Sequence, residues 1–210
     1  MIQYIERFVQ QKLSHDTTGH DWYHIDRVRK MSIHIAKNEN VNIEIVEITA
    51  LLHDILDDKL VNNKEEAKRE IIDLLESLQY QDDYIQQIIY IIENVGFKGG
   101  NCMQMDLVEG KIIQDADRLD AIGAIGIART FMYSGAKGQA MYDPNIPVRD
   151  EMSYEQYRNE KSTAINHFYE KLVKLIHTLH TDTAKNIAKE RHEFLKLFLS
   201  EFHREWEVKL

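Results

Sequence analysis

The chain has 210 residues, with 26 Lys and Arg against 35 Asp and Glu, so its net charge is −9. This length predicts one domain, and a composition of 43% hydrophobic and 29% charged residues excludes a disordered chain. The acidic balance argues against a nucleic-acid polymer or an anionic membrane as partner, because both need a basic face, and the single Cys excludes an internal disulfide.

The N-terminal half is a series of predicted amphipathic helices. The only two prolines, Pro144 and Pro147, lie in one short segment, so helix breakers are rare elsewhere and the predicted fold class is all-α. The third helix is apolar around most of its girth, so we expect it to be buried. The predicted helices of this half are Ile2–Leu13, Ile25–Ile35, Ile43–Leu56 with Asn42 as its cap, and Asn63–Leu78 with Asn63 and Glu66 as a capping pair.

The C-terminal half continues this pattern around two irregular stretches. Isoleucine spacing favours a helix over a strand for Tyr84–Val95. Gly96–Asn101 is a glycine-rich loop, and Gly135–Met152 has the length of a lid or binding loop. We find no linker and predict a single domain, 1–210, with C-terminal helices of about 153–207 packed on the core. The remaining predicted helices are Asp106–Leu119, one ending near Ser134, one opened by Ser153 and Gln156 that runs to about Leu179, and one capped by Thr181 that ends near Trp206.

The end of the third helix carries the most informative group of polar residues, His53, Asp54 and Asp57. Burying such groups without partners costs several kcal/mol each, and a divalent cation is one partner that offsets this cost. On a continuing helix, Asp57 lies on the face shared by His53 and Asp54. For His53 and Asp54 alone, an ordinary helix end at its solvated edge is an equally good interpretation.

Two histidines upstream have a spacing that also suits a metal. His20 and His24 are four residues apart, so on one helix both imidazoles can reach the same ion. Asp21 near the expected helix start also allows His20 to lie in the preceding loop. Most of the other histidines are interpreted as ordinary core or surface residues.

A third group, Asp115, Asp117 and Asp120, places three carboxylates within six residues. Such charges repel one another unless cations intervene, and a metal and the neighbouring Arg118 both qualify. Asp117 is expected to adjoin the buried stripe of this helix more closely than Asp115. Taken alone, a charge cluster of this kind is more typical of a solvated face.

The order of these three groups resembles the HD-domain metal-dependent phosphohydrolases, and most of all the small bacterial branch typified by YpgQ and YedJ proteins. The resemblance covers essentially the whole chain. It implies an all-helical HD fold around one buried divalent-metal site. The matching stretches are GHDWYHIDRV, ALLHDILDDK, QDADRLDAIGAIGIAR and TAKNIAKERHEFLKLFLSEF.

The resemblance also implies roles for individual residues. A second set of ligand histidines is missing, which favours a single metal ion, with His20 as a spare ligand. Asp57 matches the acidic position that acts as base or orients the attacking water, and Asp58 is the alternative for that role. The implied metal ligands are His24, His53, Asp54 and Asp117.

This mixed nitrogen and oxygen ligand set suits manganese, which we favour, and also Co, Ni, Fe or Zn, whereas Mg prefers oxygen alone. A bound divalent ion generates hydroxide from water at neutral pH and polarises a phosphoryl oxygen. Phosphoryl transfer also needs groups that hold the phosphate, although each candidate alone is more often an ordinary solvated charge. The predicted substrate-binding residues are His20, Lys59, Lys98 and Arg118.

The resemblance implies a hydrolase that releases pyrophosphate or phosphate from nucleoside or deoxynucleoside triphosphates. One alternative is a phosphomonoesterase or phosphodiesterase acting on nucleoside monophosphates, cyclic nucleotides or alarmones. A second is a catalytically silent metal-binding helical module, against which the full ligand set argues. We expect a small phosphorylated substrate, a monomer or homodimer, and a cytoplasmic location, because no apolar run nears the ~20 residues of a membrane span and no signal peptide is evident.

Overall fold

The computed structural model describes residues 1–14, 21–57, 61, 63–96, 105–149 and 160–209. Within these ranges the chain forms α-helices and one 3₁₀ helix, Leu172–Thr178, without any strand, which confirms the predicted all-α class. None of these helices combines the length and the apolar composition that a membrane span requires. The α-helices are α1 Ile2–Lys12, α2 Trp22–Ala36, α3 Ile43–Leu52, α4 Lys64–Ser77, α5 Asp82–Asn94, α6 Val108–Asp120, α7 Gly123–Ala136, α8 Ala164–Glu170 and α9 Asp182–Trp206.

The chain divides into two compact units, Met1–Ala116 and Asp117–Leu210. The division falls inside α6, which continues through it as one helix. The single domain over 1–210 and the packing of the helices of about 153–207 on the core stay predictions.

In the first unit, α3 is the central helix and packs against α1, α2 and α5. Seven of its ten residues are buried, as expected for a helix that is apolar around its girth. Each fully buried Leu or Ile side chain stabilises the unit by about 1.5–3 kcal/mol. Asn42 caps the helix as predicted, accepting hydrogen bonds from the amides of Glu44 and Ile45.

The predicted length of this helix was wrong. α3 ends at Leu52, and residues 53–56 form turns instead of the expected continuation to Leu56. The amide of Asp57 donates to the carbonyl of Asp54 at 3.0 Å, a bond that spans three residues instead of four. His53, Asp54 and Asp57 are therefore related by a tight turn and do not share a helix face.

A half-buried ion-pair network holds α2 against its neighbours. Arg29 on α2 donates to Glu47 on α3 through Nε at 2.8 Å and to Glu6 on α1 at 2.5 Å. Burial lowers the pKa of Arg29, but the bonds and charges of Glu47 and Glu6 outweigh burial and raise it. The network fixes how α2, which carries His24, and α3, which ends directly before His53, lie against each other.

In the second unit, α9 packs against α7 and the 3₁₀ helix, and α8 packs against both α7 and the 3₁₀ helix. Phe168 is fully buried, with ring centroids 5.9 Å from Phe131 and 5.5 Å from Phe198. These aromatic contacts join α7, α8 and α9 into one core. Thr181 caps α9 as predicted, accepting from the amide of Ala184 at 3.2 Å.

The prediction of one long helix that runs to about Leu179 was wrong. Residues 160–163 are not helical, and α8 starts only after Thr163, whose hydroxyl accepts from the amide of Asn166 at 3.0 Å. The α-helix stops at Glu170, because Lys171 adopts φ −133° and ψ −59°, and a 3₁₀ helix follows. The predicted capping pair, Ser153 and Gln156, lies outside the described residues.

The irregular stretch after α7 is present over 137–149, as predicted, but it is tied to the second unit. The amides of Ala164 and Ile165 donate to the carbonyls of Ala140 and Met141 at 3.1 and 3.0 Å. Arg149 donates from Nε and NH2 to the buried carboxylate of Glu170, at 2.8 Å each. This part of the stretch therefore forms a fixed wall of the unit.

Candidate metal centre

His53, the residue directly after α3, is held with one ring nitrogen aimed away from its own backbone. Its Nδ1 lies 2.8 Å from the carbonyl oxygen of Ala50, so Nδ1 carries the hydrogen and donates it. Nε2 is left with a lone pair. The side chain is 1% exposed, and among the described residues Nε2 makes no hydrogen bond.

His24 and Asp54 meet His53 at this nitrogen. His24 lies in the first turn of α2, fully buried, and its amide is capped by the side chain of Asp21 at 2.9 Å. Asp54 places one carboxylate oxygen 3.3 Å from Nε2 of His24 and the other 3.4 Å from Nε2 of His53. The two imidazole rings lie edge to face, with centroids 5.3 Å apart.

Asp117 completes the group from the last turn of α6. One ligand atom each of His24, His53 and Asp117 lies within 4.8 Å of the other two. Ligands of one metal ion bonded at about 2.0–2.2 Å are separated by up to about 4.4 Å, so a small adjustment closes the group around an ion. A buried Nε2 without a hydrogen bond, surrounded by carboxylates, fits a divalent metal.

The metal fit is also favoured on energetic grounds. Nε2 of His53 directs a lone pair toward the carboxylates of Asp54 and Asp117, and acceptors that face one another are costly to bury unless a proton or a cation lies between them. A divalent ion satisfies them together, whereas a structural network needs protons on some of them. The four residues predicted as ligands, His24, His53, Asp54 and Asp117, are therefore those that converge.

Of the remaining predicted catalytic and substrate-binding residues, the structure describes Asp57 and Arg118. Asp57 lies in the turn that starts at Asp54, and its carbonyl accepts from the amide of Val61 at 3.2 Å. Arg118 donates from NH1 to the carbonyl oxygen of Thr178 and to Nε2 of His180. The others, Asp58, His20, Lys59 and Lys98, lie outside the described residues.

The relative burial of the two aspartates on α6 was predicted wrongly. Asp115 is fully buried, whereas Asp117 is half-buried. Asp115 lies three residues after Ile112 and four before Leu119, so helical spacing places it within the apolar stripe. The signal was present in the sequence, because the spacing identifies Asp115 as a buried carboxylate of α6.

The rest of the Asp117 segment is used for packing. Asp120 accepts from NH1 of Arg129 at 2.7 Å, and the carbonyl of Leu119 accepts from NH1 of Arg191 at 2.6 Å. Burial lowers the pKa of Arg191, which the nearby charge of Asp120 partly opposes. Gly123 adopts φ +75° against the side chain of Arg191, a conformation that favours glycine. The sequence DADRLDAIGAIGIAR thus combines Asp117, one member of the candidate metal group, with a rigid corner between α6 and α7.

Comparison with known proteins identifies the family. The HD domain family model matches residues 21–122, a range that contains all four converging residues. YpgQ of Bacillus subtilis is 36% identical over 203 residues, which cover 96% of this chain and 91% of YpgQ. The chain belongs to the HD-domain family. It is accordingly an HD-type metal-dependent phosphohydrolase, and HD-domain proteins bind divalent metals.

Solved structures agree with this assignment over nearly the whole length. The crystal structure of Bacillus subtilis YpgQ in complex with ADP has 36% identity and a TM-score of 0.78, with 98% of this chain and 97% of that chain covered. An HD-superfamily hydrolase from Bacillus thuringiensis has 42% identity and a TM-score of 0.77, with coverage of 99% and 97%. The resemblance inferred from the sequence motifs is confirmed.

Proposed function

We propose that this HD phosphohydrolase acts on nucleotides and releases pyrophosphate from nucleoside or deoxynucleoside triphosphates. The observation that carries the proposal is the convergence of His24, His53, Asp54 and Asp117 on one point, at a buried imidazole nitrogen that makes no hydrogen bond among the described residues. The ADP complex of the related YpgQ supports a nucleotide as the ligand class.

These four residues hold the metal in this proposal, and a single ion suffices. When bound, a divalent ion lowers the pKa of a water molecule and polarises a phosphoryl oxygen. Mn is the favoured ion because imidazole and carboxylate ligands are mixed, and Co, Ni, Fe, Zn and Mg are the alternatives. The carbonyl of Ala50 keeps the hydrogen of His53 on Nδ1, so that Nε2 stays available as a ligand.

Asp57 is proposed as the base that takes a proton from the attacking water, with Asp58 as the alternative. The hydrogen bond from the amide of Asp57 to the carbonyl of Asp54 keeps the backbone of Asp57 within one turn of a ligand. A carboxylate on a residue this near in the chain to a proposed ligand is a candidate for proton transfer to or from a water molecule. His20, Lys59, Lys98 and Arg118 are the proposed substrate-binding residues, and of these Arg118 directly follows the ligand Asp117.

The test is a nucleotide screen with Mn or Co, in which phosphorus NMR identifies the products. We expect free pyrophosphate from triphosphates with the wild type. Asp54→Ala is expected to lose at least about 100-fold in Mn affinity together with activity, because a direct ligand is removed. Asp57→Asn is expected to retain Mn binding while activity falls at least about 100-fold. Asp182→Ala, at a side chain 98% exposed in the first turn of α9, is the matched control.

The products decide between the hypotheses. Inorganic phosphate released from nucleoside monophosphates would replace the proposal with a phosphomonoesterase, and turnover of cyclic nucleotides or alarmones with the corresponding hydrolase. Tight Mn binding without turnover of any nucleotide would indicate a silent metal-binding module. Full activity of Asp54→Ala would overturn the metal assignment itself.

A further inference from the structure

The guanidinium of Arg118 is held by two acceptors from a distant part of the second unit. Its NH1 donates to the carbonyl oxygen of Thr178 and lies 3.1 Å from Nε2 of His180. A guanidinium can only donate hydrogen bonds. Nε2 of His180 is therefore the acceptor, so in this arrangement the imidazole is neutral and carries its hydrogen on Nδ1.

Both acceptors are fixed by the segment that carries them. Thr178 is the last residue of the 3₁₀ helix, and its hydroxyl donates to the carbonyl of Leu175 at 2.8 Å. Thr181 caps α9 by accepting from the amide of Ala184 at 3.2 Å. His180 lies between these two ends, so its backbone is constrained on both sides. The place where Arg118 docks is therefore set by the fold of the second unit.

Fixing NH1 also fixes the direction of the whole guanidinium. The group is a rigid plane with five N–H donors, so two bonds at one nitrogen leave little freedom to the plane. Arg118 is the residue next to the metal ligand Asp117 along α6. A side chain held in advance loses little conformational entropy when it binds a phosphate.

We propose that His180 is a positioning residue for Arg118, holding its guanidinium in the orientation that binds a substrate phosphate. The inference rests on the proposed nucleotide hydrolysis and names a second residue needed for it. Because His180 acts through Arg118 and not on the metal ligands, its loss weakens substrate binding more than the chemical step.

The first test is steady-state kinetics of the full-length chain with Mn and the triphosphate found in the screen. His180→Ala is expected to raise KM about tenfold, as for loss of a hydrogen bond to a charged group, with kcat within about twofold. His180→Gln is expected to restore most of the affinity, because its carboxamide oxygen can accept from NH1. His177→Ala, at an exposed histidine of the adjoining 3₁₀ helix, is the matched control and should match the wild type.

A second measurement is independent of turnover. Long-range proton–nitrogen NMR of the imidazoles should show an unprotonated Nε2 for His180, and Arg118→Met should shift that signal. Calorimetry should give His180→Ala a wild-type Mn affinity and about tenfold weaker binding of inorganic pyrophosphate to the Mn-loaded protein.

Three results would overturn the inference. If His180→Ala has the same KM and the same pyrophosphate affinity as the wild type, Arg118 needs no positioning by His180. Equal loss of kcat, Mn affinity and thermal stability, without rescue by glutamine, would assign His180 to folding alone. A protonated Nε2 would contradict the geometry. If the wild type hydrolyses no nucleotide, the proposed function fails, and the NMR and pyrophosphate measurements still decide the role of His180.

Discussion

Replacing Gly126 with alanine tests how the corner between α6 and α7 holds the proposed metal ligand Asp117. A Cβ at position 126 would lie 2.2 Å from the carbonyl oxygen of Ala121. Such C···O contacts are normally about 3.3 Å or longer, so the Ala121 peptide must move by about 1 Å. The carbonyl belongs to the peptide between Ala121 and Ile122. The amide on the other side of the same Cα, that of Ala121, donates to the carbonyl of Asp117 at 3.1 Å, so we expect the movement to be passed on to the backbone of Asp117.

The expected change in the free energy of unfolding combines two opposing contributions. Overpacking costs about 1–3 kcal/mol, and the upper end applies because the obstacle is backbone, which no side-chain rotation can relieve. Alanine in place of glycine in a helix contributes about 1 kcal/mol of stabilisation. We therefore expect Gly126→Ala to lower the free energy of unfolding by about 2 kcal/mol and to weaken Mn binding several-fold.

Urea unfolding with and without Mn, together with calorimetry of Mn binding, measures both effects. Gly135→Ala in the same helix is the matched control, because nothing lies within 4 Å of its added Cβ, and we expect it to stabilise by about 0.5–1 kcal/mol. Gly110→Ala should fall between the two, since its Cβ would meet the flexible side chain of Met105. If Gly126→Ala is as stable as Gly135→Ala and binds Mn equally well, the corner is not rigid and the reasoning is refuted.

Three further predictions concern the second unit. Burial raises the pKa of Glu170, but the hydrogen bonds and the charge of Arg149 outweigh burial and lower this pKa. The ionised carboxylate therefore stabilises the fold above the ordinary pKa near 4.5, and this contribution is lost as pH falls through the pKa of the folded protein. Glu170→Gln should flatten the urea stability profile between about pH 5 and pH 3. Burial lowers the pKa of His192, so stability should fall as pH drops below about 6.5, and His192→Gln should abolish that slope. A slope that persists in either variant contradicts its assignment. Tyr142→Ala removes an edge-to-face contact with Trp206, whose ring centroid lies 5.0 Å away. It should lower the free energy of unfolding by about 1–2 kcal/mol and alter the near-ultraviolet circular dichroism. An unchanged spectrum would exclude the contact in solution.

Much of the fold was predictable from local signals. Helical spacing and caps such as Asn42, Asn63 and Thr181 located helices within a few residues, because capping and amphipathicity act over one or two turns. The ends of α3 and of α8 were not predictable in this way. Leu52 and Glu170 end their helices although no glycine or proline follows either of them directly, so neither end carries a local stop signal.

The candidate site shows the same division. His24, His53, Asp54 and Asp117 could be named from motif order, because the chemistry of a divalent ion restricts the ligand types. The burial of Asp115 was not predicted, although helical spacing places this residue within the apolar stripe of α6. His180 carried no sequence signal at all, since its relation to Arg118 spans 62 residues and exists only after the second unit has folded.

The sequence by itself therefore determined an all-α chain, its family and the residue types proposed to hold a metal, because periodicity, caps and the order of motifs can all be read along the chain. The tertiary structure decided which nitrogen of His53 is available, how Asp54 lies between two imidazoles, and which residue holds Arg118. These are relations between side chains whose distances depend on how helices pack and where they stop. Packing is a cooperative property of the whole unit, and no local pattern encodes it.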